Sequence, residues 1–454
     1  MSRYDSHLFR GSRGTWPCLT PRPLEGDWAE RPGTCCRWID GGAPPSRGLR
    51  LFANLPPTSG SLGVMNRLSI RRSSAPWGVL MLVAAFAGCG GSSGSPGPSP
   101  GPPVVAPSEV LYAGFLTPNG GGGGGQILPM SLDASSGALT PLTGVQGPGN
   151  PVTLVADSGR KFLYASDFNT DMVYAYSIDA ATGNLTPLSN SPYSTPFFGN
   201  GGPLGMDPAG KFVFFVADPN GDIVTFIRNS SNGTLTLSLA PVAQDTNQPI
   251  DLVVDPSNKF LYAADHSDPS GNEISVFSID GSTGGLTPVP GSPFTFQANS
   301  GPWGMAISST GKYLYTALSN ASSVAALSVD SSTGAVTPLP SSPFPTNFIP
   351  EQLTLHPSGK FLYTGNVGLG SISAFSVDAA SGALAPISGS PYGGVGPTTL
   401  ALDPSGKFLF FSESFPSAQL VEWRIDQTSG ALSPATSTLL SNGSPSALTV
   451  ILLP

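Results

Sequence analysis

The sequence predicts an all-β fold: a seven-bladed β-propeller of four-stranded antiparallel blades. Three observations predict it. One segment, an apolar strand, a tight turn and a second apolar strand, recurs six times, around Lys161, Lys211, Lys259, Lys312, Lys360 and Lys407. These six are the only lysines in the 454 residues, and their spacings are 50, 48, 53, 48 and 47. A period in this range, with several short strands per unit, marks a propeller. Turn residues also recur at fixed places between the strands. Finally, each end of the chain holds part of a unit, and the two parts are complementary.

The unit around Lys360 shows the elements in order. Residues 352–356 form a first strand, 360–365 a second, 371–378 a third and 383–387 a fourth. In the third strand Ile372, Ala374, Phe375 and Val377 interleave with small or polar residues, as in a sheet packed between neighbours. An Asp-Pro turn joins the first and second strands, clearest at Asp207, Asp255 and Asp403. Proline presets φ there, and the residue that closes the turn takes a positive φ. An Asp-x-x-Ser/Thr-Gly turn joins the third and fourth strands, at Asp133, Asp179, Asp280, Asp330, Asp378 and Asp426. Recurrence at turn positions assigns these aspartates to backbone capping, not to chemistry.

Residues 109–115, 126–133 and 138–142 supply a second, third and fourth strand with no first strand before them. Residues 446–453 supply a first strand with nothing after it. Together they make the seventh blade and close the ring, which covers two exposed sheet edges.

Composition narrows the function. Charged residues are 11% of the chain, with Gly 57 and Pro 48, which favours turns over helices. The net charge is −8 overall, but from Gly90 onward six Lys and three Arg face 23 Asp and Glu, giving 9 − 23 = −14. Such a surface does not track phosphates, so no nucleic-acid partner is expected. The cysteines, Cys18, Cys35, Cys36 and Cys89, all precede the repeats, so the propeller has no internal disulfide and no thiolate metal site. The glycine run 120–125 is not followed by Lys-Ser/Thr and is read as a loop, not a phosphate cradle.

The first 107 residues divide into three. Residues 1–64 carry eight arginines, no lysine and no sustained period, and are read as a non-native or disordered extension. Residues 65–89 read as a signal peptide: Arg67, Arg71 and Arg72 precede a short apolar run that ends in Phe86-Ala87-Gly88-Cys89. That ending resembles a bacterial lipobox, which implies a lipidated Cys89 and a membrane-anchored protein of the cell envelope. Residues 90–107, rich in Gly, Ser and Pro, form a tether, and 108–454 form the propeller.

The repeats resemble a known family. Asp403-Pro404-Ser405-Gly406-Lys407-Phe408-Leu409, followed by Asp426-x-x-Ser429-Gly430-Ala431-Leu432, is similar to repeats of the lactonase family of seven-bladed propellers and to YVTN-type surface propellers. The best-known activity in that family is 6-phosphogluconolactone hydrolysis. The resemblance implies a Gly-Pro-Arg-His signature where first strands enter the channel. The corresponding prolines here are Pro151, Pro203, Pro249, Pro302, Pro350, Pro397 and Pro445, and none is followed by Arg-His. The groups that would bind a carboxylate or phosphate and assist proton transfer are therefore missing.

The default site is the face that carries the loops between second and third strands and the loops between blades. Three readings arise there. In the first, Asp251, Glu351 and His266 at the channel mouth form an acid–base set for lactone hydrolysis. In the second, acidic loops hold Ca²⁺, the only cofactor the sequence suggests. In the third, an acidic and aromatic rim, with Asp167, Asp171, Asp218, Asp222, Asp268, Trp303 and Glu413, binds a cell-surface protein or glycan. The third is the favoured reading, with a monomeric scaffold expected, and lactone hydrolysis is the alternative.

Overall fold

The computed structural model describes residues 108–116, 125–197, 199–217, 221–244, 248–266, 272–393, 396–413, 419–439 and 445–454. The extension, the lipobox Cys89 and the tether lie outside the described residues, as do Asp218 and Asp268. The described residues form strands and turns with no helix, so no helix among them is long and apolar enough to cross a membrane.

Seven antiparallel sheets follow the predicted repeat. Blade 1 runs Pro151–Ala156, Phe162–Asp167, Met172–Ile178, Leu185–Pro187, and blade 2 runs Leu204–Met206, Phe212–Ala217, Asp222–Arg228, Leu235–Leu237. Blades 3, 4, 5 and 6 begin at the first strands Pro249–Val254, Pro302–Ile307, Pro350–Leu355 and Pro397–Leu402. In blade 7 the C-terminal strand Pro445–Leu452 pairs with Glu109–Phe115, which leads to Gly125–Leu132 and Leu139–Pro141. The ring is thus closed by the two chain ends, as the sequence requires.

First strands of consecutive blades abut one another around the whole ring and so enclose the channel. The hydrophobic core falls into seven clusters, one in each seam between neighbouring blades. Phe361, Tyr363 and Ile372 of blade 5, for instance, pack on Leu409, Phe411 and Trp423 of blade 6. A second strand packed on both faces has no polar side to spare. Phe212–Ala217 is buried at every residue.

The turns behave as capping chemistry predicts. Oδ1 of Asp207 accepts the N–H groups of Lys211 and Phe212 at 2.7 and 2.6 Å, and Asp157 and Asp255 repeat the pattern. His356 replaces the aspartate in blade 5. It is buried, and its ring nitrogens meet Ser358 Oγ and the Gly406 carbonyl. In the other turn family Oδ1 of Asp378 accepts the N–H groups of Ala380 and Ser381. The Ser381 hydroxyl donates to the same oxygen, and it, with the Ser381 N–H and to a lesser extent the Ala380 N–H, holds the carboxyl below the usual range.

Blades are latched by a recurring tyrosine in the second strand. The hydroxyls of Tyr112, Tyr164, Tyr262, Tyr315 and Tyr363 donate to the carbonyls of Gly183, Gly233, Gly334, Gly382 and Gly430, the turn glycines of the next blade. Blades 2 and 6 carry Phe214 and Phe410 at this position. In blade 2 the residue paired with Phe214 takes over the latch: Thr225 Oγ1 donates to Gly284 O at 2.9 Å. In blade 6 the residue paired with Phe410 is Glu422, whose carboxylate lies against Gly137 of blade 7.

Two features correct the sequence reading. Four blades carry an extra two-residue strand on the third strand: Tyr193–Ser194, Phe294–Thr295, Phe344–Pro345 and Tyr392–Gly393. Each follows a serine, Ser191, Ser292, Ser342 or Ser390, whose Oγ accepts a third-strand N–H. Phe294 packs against the core of its seam and Phe344 lies within its own, while Phe348, further along the same kind of loop, is exposed. The second correction concerns Pro203. Pairing aligns Leu204 with Leu154 and Leu252, so Gly201, not Pro203, takes the place of the other channel prolines.

Candidate functional site

Register on the second strands defines one level of the channel wall. Leu154, Leu204, Leu252, Met305, Leu353, Leu400 and Leu448 pair with the residue after the latch position in each blade. The residues one step nearer the mouth are Thr153, Pro203, Asp251, Gly304, Gln352, Thr399 and Ala447. Asp251 is the one ionisable side chain among these seven.

Asp251 stands half-buried in the wall, reachable from the channel but surrounded by protein. Its Oδ1 accepts the N–H of Leu252 at 2.9 Å, and its Oδ2 accepts the N–H of Met305, in the next blade, at 2.7 Å. Burial pushes its carboxyl up to about 7, against the smaller opposing effect of the two N–H groups. A carboxyl in that range exchanges its proton near neutrality, as a general acid–base needs.

The first strand of blade 4 organises the other candidates. Its register is interrupted between Pro302 and Met305. Across that irregularity Trp303 is half-buried, and its ring meets that of His266 edge-on, 4.5 Å between centroids at 68°. His266 Nε2 lies 3.1 Å from Ser319 Oγ, which itself donates to Gly301 O at 3.0 Å. The serine proton is thus committed, and Nε2 is assigned as the donor to Ser319. That assignment makes His266 a brace for Trp303, not a base acting through Nε2. Gly304 follows: a Cβ there would stand 2.8 Å from the carbonyl oxygen of Glu351, so only glycine lets blades 4 and 5 approach this closely. Trp303, Gly304 and Met305 therefore touch His266, the Glu351 backbone and Asp251 respectively. Ser319, Gly304 and the Met305 N–H were not anticipated from sequence. The available signal was a glycine at a level where every other blade carries a side chain, Thr, Pro, Asp, Gln or Ala.

A family model described as lactonase, 7-bladed β-propeller, matches residues 110–450. The chain belongs to the lactonase family. Among solved structures this lactonase-family propeller is similar to a putative 6-phosphogluconolactonase from Bacteroides fragilis, with 21% identity, a TM-score of 0.62, and coverage of 77% of this chain and 99% of that one. It is also similar to the periplasmic gluconolactonase PpgL of Pseudomonas aeruginosa, with 20% identity, a TM-score of 0.63, and coverage of 76% and 99%. At such identities the likeness is one of fold. No curated protein matches the sequence. Family membership favours the hydrolytic reading over the surface-scaffold reading preferred from sequence.

The described acidic rim candidates of this lactonase-family propeller, Asp167, Asp171, Asp222 and Glu413, are all buried. Asp167 is fully buried and accepts the N–H groups of Gly149, Asn150 and Asn169 and the Thr170 hydroxyl. It is a loop clamp. Asp171 and Asp222 are buried at the base of their loops, and Glu413 is buried with Gln419 Nε2 on its Oε2. The physical reason is positional: a carboxylate at a strand end faces the loop's orphan N–H groups before it faces solvent. Among the described residues no three His, Cys, Asp or Glu side chains converge as a metal site. A hollow at the outer edge of blade 2, lined by Leu237, Leu239 and Pro241 and facing Thr283 and Thr287, lies away from the channel. Its one carboxylate, Asp280, is engaged in its own turn.

Proposed function

We propose that this propeller hydrolyses a lactone at the mouth of its channel, with Asp251 as the proton-transfer group. The observation that carries the proposal is Asp251 itself. It is the one ionisable side chain at its level of the wall, is held by two backbone N–H groups, and titrates near neutrality. Ionised Asp251 accepts a proton from water as the water oxygen bonds to the lactone carbonyl carbon. The ring C–O bond then breaks, and the departing ring oxygen takes the proton from the Asp251 carboxyl. The product is the open hydroxy acid, and the enzyme returns ionised. Glu351, half-buried on the first strand of blade 5, lies beyond the first strand of blade 4 from Asp251 and is the other carboxylate on the first strands of this side of the ring. The absent Arg-His pair means that any rate enhancement comes without the anion-binding groups of the family signature.

The test is turnover of neutral and phosphorylated sugar lactones by the full chain, read as acid release. Asp251→Asn is run in parallel. Wild-type turnover that collapses in the variant supports the proposal. Wild-type rates no faster than buffer overturn it.

A further inference from the structure

The distribution of charge between the two faces bears on which lactone is taken, an inference that rests on the hydrolytic reading above. Every described lysine and arginine sits on the face that carries the turns between first and second and between third and fourth strands. The six lysines and Arg160 occupy the turn that enters a second strand. Arg228 lies at the far end of its third strand, 3.5 Å from Asp157 in a buried ion pair. Arg424 donates to the carbonyls of Ser135 and Ser136 in the neighbouring turn. The mouth face has the opposite character. Its described ionisable residues are carboxylates, Asp251 and Glu351 in the wall among them, with His266 as the one imidazole and no lysine or arginine.

A second, independent feature is Trp303. Its half-buried indole is held edge-on by His266 beside the same strand segment that binds Asp251. An aromatic face fixed at a polar mouth offers contact area to the C–H face of a ring at little entropic cost, and it makes no use of charge. We infer that this mouth accepts an uncharged sugar lactone on Trp303 and rejects the phosphorylated counterpart. Like charges in a concave, low-dielectric wall are repelled more strongly than in water, and no cation on this face offsets them. The same field drives out the product, because ring opening turns a neutral lactone into a carboxylate. The acidic mouth thus discriminates against an anionic substrate and against retention of an anionic product.

The test uses the full chain with glucono-1,5-lactone and its 6-phosphate, and with the neutral, non-hydrolysable gluconolactam and its 6-phosphate as binding probes. We expect the neutral lactone to have kcat/KM at least about tenfold above the phosphorylated one at low ionic strength, with the ratio shrinking as salt screens the wall. Calorimetry is expected to show lactam binding with about the same preference, and Trp303→Ala to weaken it at least about tenfold. A phosphorylated lactone turned over or bound as well as the neutral one overturns the inference and leaves hydrolysis standing. Selective lactam binding without turnover of either lactone supports the inference and removes hydrolysis. Neither turnover nor binding removes both.

Discussion

The backbone N–H of Met305 donates to Oδ2 of Asp251 at 2.7 Å across the seam between blades 3 and 4. The two residues are 54 positions apart, about one repeat, and the bond exists because consecutive first strands run side by side around the channel. It fixes the carboxylate against the wall while leaving it open to the channel. The functional proposal depends on this arrangement.

Replacing Asp251 by Asn keeps the volume and removes the proton acceptor. Turnover is expected to fall by about 10²–10⁴-fold, the usual contribution of a positioned general base. The wild-type rate should rise with pH through about 7, where Asp251 ionises, and the residual rate of the variant should lack that step. Steady-state kinetics from pH 5 to 9 measures both.

Stability should move the other way with pH. Asp251 has a folded value raised to about 7 from an ordinary carboxyl value of 3.8, so between these the folded state holds a proton that the unfolded chain has lost. Its contribution is fully present below about pH 4 and is lost as pH rises to 7. Unscreened, that difference is about 4 kcal/mol, and water in the channel reduces it. The turn aspartates, such as Asp378, have depressed values and act in the opposite sense, losing their contribution as pH falls below the carboxylate range. Urea midpoints of wild type and Asp251→Asn should therefore diverge between pH 4 and 7. Parallel curves would contradict the assignment.

The tyrosine latch makes a local prediction. Tyr363→Phe leaves the Gly430 carbonyl without its donor at a buried seam and is expected to cost about 1–2 kcal/mol. Thr225→Val should cost a comparable amount although it changes no tyrosine, because Thr225 performs the latch in blade 2. Chemical denaturation with both single variants gives the comparison.

Gly304→Ala should be disproportionately damaging. The added methyl meets the backbone of Glu351 and Leu353 at 2.8 and 3.2 Å, so the seam between blades 4 and 5 must open, at a cost of about 1–3 kcal/mol. Turnover should fall with it, since Trp303 and Met305 flank the site. Gly281→Ala, whose Cβ meets nothing, is the matched control and should change neither.

Removing residues 445–454 deletes the inner strand of blade 7 and exposes the edge of Glu109–Phe115. Association through that edge is expected, with loss of a single cooperative transition. Light scattering after size exclusion, with thermal melts by circular dichroism, reads both.

The fold was legible in the sequence because its determinants are local. The Asp-Pro and Asp-x-x-Ser/Thr-Gly turns carry their own caps, as Asp207 and Asp378 show, and the lysine before each second strand marks the register of every blade but the composite one. The composite seventh blade followed from counting strands at the two ends. The site was less legible because its parts come from different blades. Pro203 looked equivalent to the other channel prolines by spacing, yet strand pairing gives that place to Gly201. Asp167 looked like a rim carboxylate and is consumed by loop N–H groups. By itself, then, the sequence determined the period, the turns, the number of blades and the closure, since each is set by residues a few positions apart. Only the tertiary structure decided that Asp251 sits alone among uncharged residues at its level, with an N–H from blade 4 upon it. Burial, and the pKa it sets, are properties of the surroundings, and those surroundings arrive from the neighbouring blade.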